Sequence, residues 1–285
     1  MPAISVIIPA YNAAAFLDRC LGSLRAQTFG DWEAVCVDDG STDGTPALLD
    51  ALAAGDRRIR VIHKVNEGVG AARNTGVGQA EGRYVLFVDS DDFLHPRAME
   101  ITLGLAERDG SDLVCFTYDH AYRTRLLVRH LLGLPDPARM RFKSFDNFET
   151  LRTDDLLSRA SEYSRPGKGL YTRHCQPWRC LYRKEVVQDI RFIPGIIYED
   201  FPWWSEVLRQ PRKATLTDLP LYFYYPNSRS YILSSRREDK IRSLRTAIAA
   251  AEKVCEDMDP VRKQRWEAQF LRPFKEKLQK KLRNA

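Results

Sequence analysis

The feature that most constrains the fold of this 285-residue chain is the alternation of strand and helix patterns over its first 118 residues. Apolar runs rich in β-branched residues predict buried parallel strands, and stretches with helical apolar spacing separate them. Alternation at such short spacing predicts an open, mostly parallel α/β sheet. The predicted strands are Ile4–Ile8, Trp32–Val37, Ile59–Ile62, Tyr84–Val88 and Leu113–Phe116, and the predicted helices are Ala14–Ala26, Thr45–Leu52, Gly70–Ala80 and Pro96–Glu107.

The net charge of +6 is concentrated at the C-terminus. Residues 236–285 contain 15 Lys/Arg and 8 Asp/Glu, a net charge of +7, so the remaining residues are close to neutral. A neutral body argues against a nucleic-acid-binding surface, because tracking phosphates requires a basic stripe on the folded domain. No apolar stretch approaches the ~20 residues of a membrane span, and the N-terminus lacks the features of a signal peptide. Six scattered cysteines then favour a reducing, cytoplasmic environment without a disulfide framework.

Two acidic motifs follow predicted strands, at the edge of the sheet where ligands of open α/β proteins bind. Asp89-Ser90-Asp91 places two carboxylates on one side of an extended segment, because side chains alternate along such a segment. These oxygen ligands suit Mg²⁺ or Mn²⁺ held together with substrate phosphates, although a polar turn explains the same pattern. Asp39 follows the second strand in a segment rich in Asp, Gly and Ser. That segment predicts either a carboxylate that accepts the N–H of a pyrimidine base or a conformational turn.

Two further segments carry candidate chemistry. Gly68 and Gly70 precede Arg73 at the start of a predicted helix. There the backbone can approach a ligand and the guanidinium can contact a base or phosphate, but small residues also serve close packing. Glu199-Asp200 is flanked by large aromatic residues, which suits a carboxylate base beside a stacking platform for a sugar. The alternative is a helix capped by Asp200 with its tryptophans in the core.

These four segments occur in one order, and together with the opening segment Ser5–Asn12 they resemble the family 2 glycosyltransferases. The similarity is specific over residues 3–118 and weaker in Trp178–Arg183, Tyr198–Asp200 and Tyr224–Ser230, whereas residues 119–174 and the tail after 236 show no match. It implies a GT-A fold, with a Rossmann-like, mostly parallel sheet, a less regular second half and a helical C-terminal tail. The implied divisions are a nucleotide-sugar-binding half (1–118), an acceptor-binding and catalytic-base half (119–235) and a basic tail (236–285). The matching segments are Ser5–Asn12, Val37–Gly44, Asn66–Asn74 and Phe87–Asp92.

The resemblance implies an inverting transfer of a sugar from a nucleotide-diphospho-sugar, with UDP favoured as the nucleotide. The acceptor would be a hydroxyl of a saccharide or a lipid-linked saccharide. Asp91 would bind Mn²⁺ or Mg²⁺, and Asp200 would be the catalytic base. Arg179 departs from the family pattern, where Asn is often found. The residues implied at the nucleotide are Pro9, Ala10, Tyr11, Asn12, Asp39, Asn66, Gly70, Arg73, Asp89 and Ser90; Trp178, Glu199, Trp203 and Trp204 are implied at the acceptor, and Arg229 at the diphosphate.

Two other functions compete with this one. A haloacid-dehalogenase-like phosphatase would use Asp89 and Asp91 as nucleophile and acid. Phe93 stands where that family has Thr or Val, and the sequence contains no later Gly-Asp-x-x-x-Asp motif. A non-catalytic nucleotide-sugar-binding protein would show a degenerate site, whereas both Asp91 and Asp200 are present. The sequence therefore favours an enzyme.

The basic tail permits two interpretations. An apolar stripe edged by Lys and Arg suits an interfacial helix lying on an anionic membrane, at the inner face of the cell membrane. The same stripe suits a terminal helix docked on the catalytic domain, with its basic face in solvent. The stripe consists of Trp266, Phe270, Leu271, Phe274, Leu278 and Leu282.

Overall fold

The computed structural model describes residues 1–120, 148–152, 176–209, 212–225, 227 and 235–283. The strands in these ranges are β1 (Ile4–Ala10), β2 (Trp32–Asp39), β3 (Ile59–Lys64), β4 (Tyr84–Phe87), β5 (Phe93–Leu94), β6 (Leu113–His120), β7 (Phe148–Arg152), β8 (Cys180–Arg183) and β9 (Lys213–Tyr224). They form one sheet in the order β3-β2-β1-β4-β8-β6-β9-β5, and β7 pairs with β9. The strands β1 to β4, β6 and β9 run in one direction, so the prediction of a mostly parallel sheet is confirmed.

The predicted helices of the N-terminal half are also confirmed. Each begins within two residues of the predicted start, and α2 has a proline in its first turn, where the missing N–H costs nothing. These helices are α1 (Ala14–Arg25), α2 (Thr45–Gly55), α3 (Val69–Gln79) and α4 (Ala98–Asp109), followed by α5 (Lys184–Val187), α6 (Asp200–Arg209), α7 (Arg237–Glu256), α8 (Pro260–Trp266) and α9 (Arg272–Arg283).

The centre of the sheet is buried on both faces. Every residue of β1 and β2 is buried, including the polar pair Ser5 and Glu33, whose side chains form a hydrogen bond of 2.6 Å. Farther along the chain, β8 inserts between β4 and β6 in antiparallel orientation. The sheet therefore continues from the first 118 residues into the region predicted to bind the acceptor. Because β8 runs in the opposite direction, its start lies at the same edge of the sheet as the ends of β4 and β9.

The C-terminal tail is helical, with the predicted break at Asp259-Pro260. The Asp259 side chain caps α8 by accepting a hydrogen bond from the backbone N–H of Arg262. A π-helical turn, Glu267–Leu271, comes just before Pro273, which has no N–H to donate to the preceding turn. No helix among the described residues is both long and apolar enough to span a membrane.

The apolar stripe of the tail faces the catalytic domain. Its first three members are buried, and Phe274 and Leu278 pack against the same core. Only Leu282, near the end of α9, is exposed. The structure therefore supports the docked interpretation, because side chains packed on the domain are not available for insertion into a bilayer. The buried members are Trp266, Phe270 and Leu271.

Candidate active site

The segments after β1 and β2 form one polar rim of the sheet. Asn12 links the two loops: its Oδ1 accepts a hydrogen bond of 2.8 Å from the N–H of Thr42, and its own N–H donates to Ser41 Oγ at 2.9 Å. Tyr11 projects from this rim and is 53% exposed. Asn66, in the loop after β3, is also exposed. Pro9 and Ala10, by contrast, are buried within β1, so only their backbone lies near a ligand on this rim.

Asp39 is buried at the end of β2, where it fixes the loop between β3 and α3. Its Oδ1 accepts hydrogen bonds from the N–H of Glu67 and the Lys64 ammonium at 3.1 and 3.0 Å, and its Oδ2 accepts one from the N–H of Gly68 at 2.7 Å. Gly68 has φ +91°, a left-handed conformation that favours glycine. Asp39 thus organises the rim through contacts within the protein, and its direct contact with a base stays a prediction.

A pocket of about 310 Å³ lies beside this rim, beyond the end of β4. It collects predicted residues from distant parts of the chain: Asp89 and Asp91 after β4, Trp178 before β8, and Glu199-Asp200 at the start of α6. The remaining described lining residues are Arg73, Tyr118, Gln176, Pro177, Tyr198 and Tyr224.

Arg73 is the buried cation that joins the two acidic motifs. Its Nη1 donates to Glu199 Oε1 at 2.6 Å, and its Nη2 donates to Asp89 Oδ1 at 2.8 Å. Burial opposes the charged guanidinium, but the two carboxylates outweigh it and raise the pKa of Arg73. Gly70, one turn earlier in α3, lets this helix pack closely against the backbone at Ile193, because a Cβ at Gly70 would lie 3.0 Å from the carbonyl oxygen of Ile193. Gly70 therefore serves close packing, and its contact with a nucleotide stays a prediction.

The three aspartates after β4 have different environments. Asp92 is fully buried and accepts hydrogen bonds from the Tyr222 hydroxyl at 2.6 Å and the N–H of Tyr225 at 2.7 Å. The same hydroxyl accepts a hydrogen bond of 3.2 Å from the N–H of Asp89. Asp92 and Tyr222 thus form the structural support of the motif, while Asp89 and Asp91 line the pocket.

Asp91 has the properties of a ligand for a divalent cation. Asn227 Nδ2 donates to its Oδ2 at 3.1 Å, and the side chain lines the pocket. Burial and the nearby charge of Asp89 raise the pKa of Asp91, a cost that a bound cation offsets. The described residues contain no cluster of three or more His, Cys, Asp or Glu that could hold a metal alone. One or two carboxylates completed by substrate phosphates are typical of Mg²⁺ and Mn²⁺ sites.

Asp200 differs from its neighbour Glu199 in being available as a base. Glu199 is buried and forms an ion pair with Arg73, whereas Asp200 is half-buried, lines the pocket and forms no ion pair with any residue that the structure describes. Burial, and then the negative charge of Glu199, raise the pKa of Asp200 to about 7. A carboxylate with such a pKa is suited to accept a proton near neutral pH.

Comparison with known proteins identifies this arrangement. The profile of glycosyl transferase family 2 matches residues 5–191, about two thirds of the chain. The chain belongs to glycosyl transferase family 2.

The relatives of this family 2 chain agree in fold. It is 29% identical over 243 residues to YibD of Escherichia coli, named an uncharacterized glycosyltransferase; the alignment spans 83% of this chain and 65% of YibD, just under two thirds. The structure of S. aureus TarS 1-349 in complex with UDP-GlcNAc is similar with a TM-score of 0.69 at 22% identity, over 95% of this chain and 71% of the 1-349 fragment. The structure of the mannosyltransferase PcManGT of Pyrobaculum calidifontis, in complex with GDP-Man and Mn²⁺, has a TM-score of 0.60 at 17% identity. The matched region spans 88% of this chain and 64% of the PcManGT chain. The predicted GT-A fold is confirmed.

Two of the tryptophans predicted at the acceptor lie elsewhere in this family 2 chain. Trp203 is 1% exposed and stacks on Phe192, with ring centroids 4.6 Å apart, inside an aromatic cluster that also contains Phe87. Trp204 is buried as well and does not line the pocket. The buried face of α6 takes the two rings into the core, so the structure gives their assignment to the acceptor no support and it stays a prediction. Trp178 does line the pocket and stacks on Tyr222, whereas Arg229 lies outside the described residues.

Replacement of Trp203 should therefore affect stability. We expect Trp203→Ala to lower the free energy of unfolding by ~3–5 kcal/mol, the usual cost of truncating a buried tryptophan. Urea denaturation measures this loss. An alanine variant with wild-type stability and a raised KM for the acceptor would instead indicate that Trp203 contacts the acceptor.

Sequence reasoning missed several residues of the family 2 site. Tyr222 supports both Asp89 and Asp92 from β9, and Asn227 contacts Asp91 from just beyond that strand. Tyr118, at the end of β6, contributes its ring to the pocket wall. Tyr118 and Tyr222 carry no local motif, and the only signal near Tyr222 was the many Arg, Tyr and Trp residues of 119–235. Asn227 lies in Tyr224–Ser230, where the family resemblance is weak.

Proposed function

We propose that this protein is an inverting glycosyltransferase that moves a sugar from a nucleotide-diphospho-sugar to a hydroxyl of a saccharide or lipid-linked saccharide. The observation that carries the proposal is the convergence of Asp91 and Asp200 on one pocket, from positions 109 residues apart in the sequence. One carboxylate suits a cation held with a diphosphate, and the other is a base with a pKa of about 7.

The polar rim and the pocket together support a binding site for the donor. Tyr11 and Asn66 are exposed beside Asp39 and provide the surface for the nucleobase. Asp89, oriented by Arg73, faces the pocket where the ribose and diphosphate would continue. Because TarS was solved with UDP-GlcNAc and shares this fold, a UDP-sugar is the favoured donor.

The reaction follows from the position of the base. Asp200 accepts the proton of an acceptor hydroxyl while the hydroxyl oxygen attacks the anomeric carbon. The bond from that carbon to the diphosphate breaks, and the nucleoside diphosphate leaves on the opposite side, so the configuration inverts. General-base catalysis of this kind typically contributes ~10²–10⁴-fold to the rate. Trp178 and Tyr224 form the wall available for the acceptor sugar.

A divalent cation fits this proposal through Asp91. When bound there with the donor, Mg²⁺ or Mn²⁺ would neutralise charge on the departing diphosphate as a Lewis acid. PcManGT, of the same fold, was solved with Mn²⁺. Asn227 orients the Asp91 carboxylate for this contact.

If the acceptor is lipid-linked, the protein would associate with the membrane through attraction between exposed cations and anionic lipids. The apolar stripe of the tail is packed on the domain, but α9 exposes cations that suit an anionic surface. We therefore propose an electrostatic, peripheral contact at the inner face of the membrane. The exposed cations of α9 are Arg272, Lys275, Lys277, Lys280 and Arg283.

Thermal unfolding with candidate nucleotides tests the proposal. We expect UDP with Mn²⁺ or Mg²⁺ to raise the Tm, by an energy of about RT ln(1 + [L]/Kd), and EDTA to reduce that increase. GDP, dTDP and CMP serve as controls for the base. A protein that responds to none of the four nucleotides, and transfers no sugar, would contradict the proposal.

A further inference from the structure

The C-terminal helix α9 contacts the segment that carries the catalytic base. Phe274 stacks on Phe201, the residue after Asp200, with ring centroids 3.9 Å apart and ring planes 6° from parallel. One turn later, the Lys277 ammonium lies 4.0 Å from the centre of the Tyr198 ring, a cation–π contact. The helix thus contacts Tyr198 before the acidic pair Glu199-Asp200 and Phe201 after it.

Tyr198 needs such support because its backbone is strained. Its φ of +70° is a left-handed conformation that a bulky residue rarely adopts. Strain of this kind persists where the surrounding structure enforces it, and it is often found at functional sites. Lys277 and Phe274 pack on the outer side of this residue, whose ring lines the pocket.

We propose that α9 supports the active site from behind, and that Lys277 is a positioning residue that holds Tyr198 and supplies positive charge beside Asp200. The inference rests on the proposed function of Asp200 as the base. The tail is then required for transfer because it holds the segment that carries the base, in addition to any contact with a membrane.

Several charged groups face Asp200, and Lys277 acts among them. The Asp89 and Asp91 carboxylates line the same pocket from the end of β4. Glu199 raises the pKa of Asp200, while Arg73 from α3 and Lys277 from α9 lower it. Because Arg73 is committed to two ion pairs, Lys277 is the cation whose removal disturbs the rest of the site least.

Direct titration of Asp200 tests the inference without relying on transfer. Carboxyl-¹³C labelling of aspartate, with Asp200→Asn to assign the signal, gives the titration midpoint of this side chain. We expect Lys277→Met to raise that midpoint by roughly 0.3 unit, the size of effect that a partly exposed charge produces. Lys277→Arg should restore the wild-type value. Lys280→Met is the matched control, since Lys280 is an exposed lysine of the same helix.

The transfer assay adds a second readout. The acid limb of the pH–rate profile should move upward in Lys277→Met by the same amount as the midpoint, with the KM for the donor unchanged. An unaltered midpoint, or an equal shift in Lys280→Met, would overturn the inference. A wild-type protein that transfers no sugar would contradict the proposed function, while the titration would still decide whether Lys277 acts on Asp200.

Discussion

Asp200→Asn is expected to lower the rate of sugar transfer by at least ~10²-fold while leaving the affinity for UDP unchanged. The amide has nearly the shape of the carboxylate but cannot take the proton of the acceptor hydroxyl. Donor binding should survive, because Asp200 contacts neither Arg73 nor the polar rim through a hydrogen bond in the described structure. Initial rates at saturating donor and acceptor, together with calorimetric titration of UDP, measure the two effects separately.

The pH dependence provides a second measurement on the same residue. Burial and Glu199 raise the pKa of Asp200 to about 7, and only the ionised form is a base, so the rate should fall as the pH drops below about 7. Asp189→Asn is the matched control, since Asp189 is an exposed aspartate in the turn after α5. Equal rates for Asp200→Asn and wild type at saturating donor and acceptor would show that Asp200 is not the catalytic base.

The fold was predictable because its signals are local. The apolar runs of β1 to β4 and the helical spacing of the first four helices can each be recognised in consecutive residues, and the order of these elements leaves few topologies for an open sheet. The sequence did not show that β8 inserts between β4 and β6. That pairing joins residues about 70 to 100 positions apart and is decided by tertiary packing.

The candidate site was predictable where a local motif marks it. Asp89 and Asp91 follow a strand, Arg73 lies at the start of a helix, and Glu199-Asp200 is an acidic pair beside aromatic residues; the structure places all five on one pocket. Buried support residues such as Tyr222 were missed, because a tyrosine in a strand looks the same in sequence whether it bonds a carboxylate or fills a core. The tryptophans of α6 show the converse case. Aromatic residues beside a base suggested stacking on a sugar, but both rings lie on the buried face of the helix.

Asp91→Asn is expected to abolish the part of UDP binding that depends on a divalent cation. The variant keeps the size of the side chain and its neighbour Asn227, but it removes the negative charge that attracts the cation. In thermal unfolding, the difference in Tm between UDP with Mn²⁺ and UDP with EDTA should disappear. The stability of the unliganded protein should not fall, because the charge removed is partly buried beside that of Asp89.

Asp92→Asn is the contrasting variant, because the two adjacent aspartates are alike in sequence but not in structure. Asp92 accepts its hydrogen bonds from Tyr222 and Tyr225 in the core, so an amide there leaves one donor without a partner and should lower the Tm of the unliganded protein. The response to Mn²⁺ with UDP should remain, since Asp91 still faces the pocket. If Asp92→Asn lost the metal response and Asp91→Asn kept it, the assignment of the cation to Asp91 would be wrong. The same result would mean that the end of β4 rearranges when the donor binds.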